Sequence, residues 1–423
     1  MRTGEHFCPG ILHAVPAKDG LLMRVRVPGG QLAPNQLHAI ASVSTGEIEI
    51  TSRANIQLRG IASEDLPRIV AELTTAGLLP SRTHERVRNI IASPFAGLDR
   101  TELIDTRPLV RELDARLMAD PALAAMPPKF SMALDGGGRW FCRETDDLTL
   151  RALPCEEGVC FALIIGGTPT YIRVTMEQAV DCILEAARVC LRVAKELELP
   201  ARGRRIAAVP EAIARMLQSM PFPCPSFSLP EADRAVEAET PIGILSTKVP
   251  GFAAIAPSTH LGRMAALQAH RLAAIAADCN IDLRLAPWRG IVLGNIPEDA
   301  TGRVTAQLRE AGVFLDANDG YRGLAGCAGI TGCDASLADV RADAVALATQ
   351  LAGRPTQPGW SVNISGCDKQ CAMRNGATAE LIATGTGYTL KLHGIARAEL
   401  HSSASAIDAV TACRAVMAEE VHP

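Results

Sequence analysis

The chain repeats itself. Leu37-His38-Ala39-Ile40-Ala41 recurs 235 positions later as Leu272-Ala273-Ala274-Ile275-Ala276. At the same offset Ile48-Glu49-Ile50 returns as Leu283-Arg284-Leu285, and Ile56-Gln57-Leu58 as Ile291-Val292-Leu293. Ala71-Glu72-Leu73-Thr74-Thr75-Ala76-Gly77-Leu78 returns as Ala306-Gln307-Leu308-Arg309-Glu310-Ala311-Gly312-Val313. Each copy reads as strand, helix, strand–turn–strand, helix, a compact sheet with helices on one side in the ferredoxin-like manner. A doubled unit of this kind predicts two like halves about a pseudo-two-fold axis.

The repeat runs on. Lys129-Phe130-Ser131-Met132-Ala133-Leu134 resembles Gly359-Trp360-Ser361-Val362-Asn363-Ile364. A hairpin over Leu163–Gly167 and Tyr171–Val174 is echoed by Leu381–Gly385 and Tyr388–Lys391. A helix follows each, over Met176–Leu199 and Ser403–Val421. The organisation expected is α+β: ferredoxin-like half-domains over residues 1–80 and 251–318, and α/β lobes over 81–200 and 319–423. The proline- and arginine-rich stretch 201–250 reads as a connector.

Four cysteines in the second copy form two close pairs. Cys327 and Cys333 are six apart, and Cys367 and Cys371 are four apart. Four thiolates from two short loops can cage one metal centre, and the spacing suits an iron–sulfur cluster better than structural zinc. Zinc, inert core thiols and disulfides remain the alternatives. The run Trp360–Ile364 reads as a strand; a helix starting after Ser365-Gly366 would place Cys367 and Cys371 one turn apart on one face. Of the 13 cysteines, Cys182 and Cys190 fall in an amphipathic helical run. Cys142, Cys155, Cys160, Cys279 and Cys413 show no partner spacing.

The first copy has no cysteines at the matching places: Ala92 stands opposite Cys327 and Leu98 opposite Cys333. It has cations instead, Arg53, Arg88 and Lys129, with Asn55, Arg59 and Arg289 as further candidates. Such groups, facing a metal centre across a central cleft, would suit a polyanion, and arginine would give bidentate carboxylate contacts. The formal net charge of −4 gives no reason to expect nucleic acid or a basic membrane surface as partner. No apolar run approaches transmembrane length. An odd cysteine count without an export signal points to the cytoplasm. The nine histidines form no two-His-one-carboxylate spacing, and no Gly-x-Gly-x-x-Gly dinucleotide motif is present.

The two cysteine pairs, the doubled unit and Thr51-Ser52-Arg53-Ala54-Asn55-Ile56-Gln57-Leu58-Arg59-Gly60 together resemble the sulfite and nitrite reductase superfamily. The resemblance implies an internally duplicated fold and a [4Fe-4S] cluster on Cys327, Cys333, Cys367 and Cys371. It also implies an anion pocket of two arginines, matched by Arg53 and Arg88, and two lysines, of which Lys129 matches the first. Ser131 stands where the second lysine belongs.

Within the superfamily the chain resembles the precorrin-3B synthase family, over Cys8–Leu12, Asp19–Gly30, Arg88–Asp99, Lys129–Gly138 and Pro287-Trp288-Arg289-Gly290. That likeness implies an oxygen-dependent monooxygenase of aerobic cobalamin biosynthesis acting on precorrin-3A. It hydroxylates the macrocycle at C20, and a ring A acetate closes a γ-lactone. Electrons would come from NADH through a reductase, or from a ferredoxin or flavodoxin. The family is also associated with a mononuclear non-haem iron, whose ligands this sequence does not reveal. A sirohaem-dependent sulfite or nitrite reductase is the alternative within the superfamily. A non-catalytic iron–sulfur electron carrier is the alternative outside it.

Overall fold

The computed structural model describes residues 8–141, 145–156, 158–222, 240–354, 359–373 and 376–419. They form an α+β fold with four five-stranded sheets. The first ferredoxin-like sheet runs, in spatial order, Val15–Ala17, Gly20–Val25, Ile56–Ile61, Glu47–Ile50 and Arg263–Ala265. The second runs Gly243–Ser246, Phe252–Ala256, Gly290–Pro297, Asp282–Ala286 and Gln31–Leu32. The last strand of each sheet comes from the other half of the chain. Arg263 pairs with Glu49 and Met264 with Ile48; reciprocally, Gln31 pairs with Arg284 and Leu32 with Leu283.

The local chemistry of this exchange is duplicated too. Gly29 and Gly30 have φ of 60° and 68°, and Leu261 and Gly262 have 57° and 73°, just before the exchanged strands. Gly30 must be glycine for a second reason: a Cβ there would lie 2.2 Å from the Leu285 carbonyl oxygen of the opposite sheet. The helices Pro34–Val43 and Ala266–Asp278 follow. Each start is capped by a glutamine that accepts from the residue before the helix, Gln36 from Ala33 N–H at 3.0 Å and Gln268 from Ala265 N–H at 2.9 Å. The two helices pack on each other, and one apolar core draws Ile40, Ile50 and Leu58 from one half and Leu272, Leu285 and Leu293 from the other.

These caps correct the register read from sequence. In this helix the halves correspond at an offset of 232, so that buried Leu37, Ile40 and Ala41 match buried Ala269, Leu272 and Ala273. The second helix is three residues longer, which restores 235 by the next strand. A slip of three is nearly one helical turn and presents almost the same apolar stripe.

The two lobe sheets share one topology. Ile90–Ala92, Met132–Asp135 and Leu148–Cys155 are parallel neighbours, continued antiparallel by Gly158–Ile165 and Thr168–Val174. Leu324–Gly326, Val362–Ser365 and Ala379–Ala383 are parallel in the same way, continued by Tyr388–Leu392 and Ile395–Leu400. Ala379–Ala383 therefore corresponds to Leu148–Cys155, and the hairpins matched by sequence are one strand out of step. Buried strands of similar apolar content do not announce their place in a sheet. The long helices fall at Ala179–Glu196 and Ser403–Glu419.

Within the stretch read as a connector, helices Gly203–Ala207 and Pro210–Gln218 pack on the first lobe, and Gly243–Ser246 joins the second ferredoxin-like sheet. Residues 223–239 of that stretch lie outside the described residues. Asp147 is the fastening. Its side chain, 1% exposed, accepts from Ser131 N–H (2.9 Å), Arg202 Nε (2.8 Å) and Gly203 N–H (2.7 Å). Gly203 lies so close that a Cβ would be 2.0 Å from the Asp147 carbonyl oxygen. Among the described residues no helix is long and apolar enough to cross a membrane.

Candidate functional site

One cleft of about 640 Å³ is lined at once by all four paired cysteines and by cations of both halves. Lys18, Arg24, Arg26, Arg53, Arg59, Lys129, Arg202, Arg204, Arg205, Arg263 and Arg289 line it, against only two carboxylates, Glu49 and Asp334. A net-negative chain has thus concentrated positive charge in one concavity, which focuses the field on an anionic ligand.

The cysteine wall is built by parallel strands. Leu324–Gly326 lies beside Val362–Ser365, so Cys327 and the turn beyond Ser365 leave the sheet at the same edge. Cys327 N–H donates to the Ile364 carbonyl (3.3 Å), Leu337 N–H to the Gly366 carbonyl (2.7 Å), and Gly366 N–H to Cys327 Sγ (3.3 Å). A Cβ at Gly366 would fall 1.8 Å from Ser336 Oγ, so the two loops meet only because residue 366 has no side chain. Cys367 to Gln370 is a turn, not the helix expected. Gln370 adopts φ of 46°, which no helix admits, and Asn363 Nδ2 holds the turn through the Met373 carbonyl at 2.9 Å.

Burial pushes the Cys367 thiol up, and the nearby Cys371, Cys333 and Cys327 push it the same way. Four free thiols gathered on one wall, with an N–H already directed at one sulfur, form a donor set suited to a bound cationic centre. Among the described residues no three His, Cys, Asp or Glu side chains converge at single-ion spacing, and no ligand set for a mononuclear iron is found there.

The six sequence-selected polar residues divide by what their side chains do. Arg53, at the tip of the turn between Glu47–Ile50 and Ile56–Ile61, and exposed Lys129 line the cleft without an ion pair among the described residues. Asn55 lines it as well, but its Oδ1 accepts from Val27 N–H at 2.8 Å. Arg59 binds Asp19 with Nε at 2.9 Å and Nη2 at 3.0 Å and donates to the Gly332 carbonyl, so it braces the Cys333 loop. Arg289 likewise donates to the Ala372 carbonyl beside Cys371.

Arg88 is the exception: it does not line the cleft. Its Nε and Nη2 grip both oxygens of Asp114 at 2.7 and 2.6 Å, under the helix Arg107–Met118. Arg88→Met is therefore expected to lower stability by roughly 2–3 kcal/mol, as for loss of a charged hydrogen bond. Polyanion affinity should stay within twofold. Urea unfolding beside a ligand titration checks both, and a large affinity loss at unchanged stability would return Arg88 to the site.

Several cleft residues escaped the sequence reading. Arg24 and Arg26 are two apart at the end of strand Gly20–Val25, on one face by strand period; that alternation was the available signal. Arg202, Arg204 and Arg205 were hidden in the supposed connector. Arg263 arrives on the exchanged strand, where Nε pairs with Glu49 (3.1 Å) and Nη2 holds the Cys327 carbonyl (3.1 Å). Cys155 and Cys160, without partner spacing in sequence, are neighbours across a hairpin tip, where burial and then Cys155 raise the Cys160 thiol. Cys182 and Cys190 are core residues, both pushed up to about 12 by burial.

Comparison with known proteins gives a consistent set of likenesses. The nitrite/sulfite reductase ferredoxin-like half domain matches residues 13–76 and 246–311, and the nitrite and sulphite reductase 4Fe-4S domain matches residues 83–199. A precorrin-3B synthase of Sinorhizobium is 29% identical over 406 residues, covering 94% of this chain and 84% of that protein. A ferredoxin–nitrite reductase of Synechococcus elongatus is 26% identical, over 84% of this chain and 75% of that one. The solved structure of the Mycobacterium tuberculosis NirA protein superposes with a TM-score of 0.73 at 21% identity, over 92% of this chain and 79% of that chain. It shares the duplicated fold.

Proposed function

The chain belongs to the nitrite and sulfite reductase superfamily, and from that membership we propose that it is a precorrin-3B synthase, an oxidoreductase of aerobic cobalamin biosynthesis. In this reading the cleft takes precorrin-3A as substrate. One atom of dioxygen enters at C20 and the other leaves as water, which consumes two electrons and two protons. A ring A acetate then closes the γ-lactone. The observation that carries the proposal is the composition of the cleft, with four thiols on one wall and an excess of cations on the others.

Cys327, Cys333, Cys367 and Cys371 would hold the [4Fe-4S] cluster, which when bound supplies single electrons. Arg53 and Lys129 meet substrate carboxylates, Asn55 shapes the turn that presents Arg53, and Arg59 and Arg289 fix the cysteine loops. Fixing the polycarboxylate at several edges orients the macrocycle before reaction. The electron donor is NADH through a partner reductase, or a ferredoxin or flavodoxin. The eleven described cysteines, all free, suit the cytoplasm.

Ser131 favours the synthase over a sirohaem-dependent reductase. It stands where a second lysine would serve a small dianion; it is fully buried, and its N–H is committed to Asp147. A non-catalytic carrier would have no use for a cationic wall. The absorption spectrum of the anaerobically purified protein, with iron and sulfide assayed on the same sample, tests the assignment. A broad iron–sulfur envelope with about four irons per chain and no tetrapyrrole bands is expected, followed by turnover of precorrin-3A. Sharp sirohaem bands would hand the cleft to the reductase reading.

A further inference from the structure

We propose that His38 and His270 form a two-nitrogen site for one divalent transition-metal ion of the class imidazole prefers (zinc, nickel or copper), on the surface where the two halves meet. The site is separate from the cleft and from whatever the cleft binds.

The helices Pro34–Val43 and Ala266–Asp278 pack on each other, and the two histidines meet across that contact. They are 232 positions apart, the offset at which these helices correspond, so each is the other's counterpart in the duplicated fold. A pseudo-two-fold axis between two like groups offers a ligand the same donor from either side. His38 is exposed and His270 half-buried, so an ion can reach both rings from solvent. Among the described residues, none that lines the cleft comes from either helix.

The geometry suits an ion. Histidine nitrogens bind zinc at about 2.0–2.1 Å, so two of them on one tetrahedral ion stand roughly 3.3 Å apart. The Nδ1 atoms of His38 and His270 are 3.2 Å apart. The rings meet at 69° with centroids only 4.6 Å apart, too close for the two nitrogens to point straight at each other. Lone pairs inclined to the line between them fit two ligands of one ion better than a straight N–H···N hydrogen bond. An ion would replace the proton that the two nitrogens share: both rings bind as neutral imidazoles through Nδ1, each with its proton on Nε2. Water completes the shell, since among the described residues no third His, Cys, Asp or Glu converges there. Two imidazoles without a thiolate or carboxylate make an exchangeable site, and the bound ion fastens one half of the chain to the other.

Isothermal titration with Ni²⁺ tests the site on wild type, His38→Ala and His270→Ala, each as the full cluster-bearing chain. Nickel takes imidazole readily, and any thiol that also binds it does so equally in all three chains. Each variant is expected to bind one ion per chain at least tenfold more weakly than wild type, because losing one donor ends the chelate. Ni²⁺ should also raise the melting temperature of wild type and of neither variant. Both variants should keep the iron–sulfur absorption and the wild-type response to uroporphyrin III, a polycarboxylate tetrapyrrole that probes the cleft. A weakening of less than threefold in either variant overturns the site, as does the absence of a wild-type site. A loss of nickel binding that accompanies a loss of iron–sulfur absorption overturns it too, for the ion would then sit on the cleft thiols. Alanine is favourable within a helix; should one variant still fail to fold, the other decides by the same threshold.

Discussion

Replacing Cys367 with serine is expected to remove the iron–sulfur absorption and the turnover together while leaving a folded protein. Serine differs by one atom, but its hydroxyl ionises far less readily than a thiol and is a harder, poorer partner for iron. The residue lies in a turn rather than in the apolar core of its lobe, which is assembled from Val340, Leu347, Ile364, Leu381 and their neighbours. Far-ultraviolet circular dichroism should therefore persist as the visible envelope falls to background. Cys190→Ala is the control, since that thiol is buried in the helix Ala179–Glu196 and leaves the absorption intact. Full absorption and turnover in Cys367→Ser would place the metal elsewhere.

The largest loss of stability is expected from Asp147→Ala. The change strips the partner from Arg202 Nε and from the N–H groups of Ser131 and Gly203 in one step. Removing one member of a buried charged network costs about 3–5 kcal/mol, chiefly because the remaining groups stay desolvated and unpaired. Urea unfolding should show the midpoint fall with little change in slope. Because the same carboxylate fastens the segment that carries Arg204 and Arg205 to the cleft rim, uroporphyrin binding should weaken as well. Asp147→Asn retains one acceptor and should lose less of both. A loss below about 1 kcal/mol for alanine would mean that ordered water takes over the three donors.

The duplication was legible because apolar periodicity survives divergence, and the cysteine pairs because few chemistries need that spacing. Register was less legible. The three-residue slip in the first helix left Leu37, Ile40 and Ala41 facing inward under either alignment, so the sequence could not choose between them. Cationic residues posed a different problem. Arg53 and Arg88 look alike as letters, but one stands at a turn beside the cleft and the other beneath a helix against Asp114. Long-range partners decide such cases, and a linear reading sees none of them. The exchanged strands Gln31–Leu32 and Arg263–Ala265 were invisible for the same reason: two or three residues carry no period, and their pairing partners lie more than 200 positions away.

Those exchanged strands have a consequence for how the protein acquired a one-sided site. Each half holds a strand in the other's sheet and shares its core, so the pair is linked as firmly as two swapped subunits. Two identical subunits joined this way would carry every feature twice, with thiols facing thiols and arginines facing arginines across the axis. Placing both halves on a single chain releases them from that identity. One half could then keep the four paired cysteines while the other contributed most of the cations, and the cleft gained two unlike walls and with them a direction.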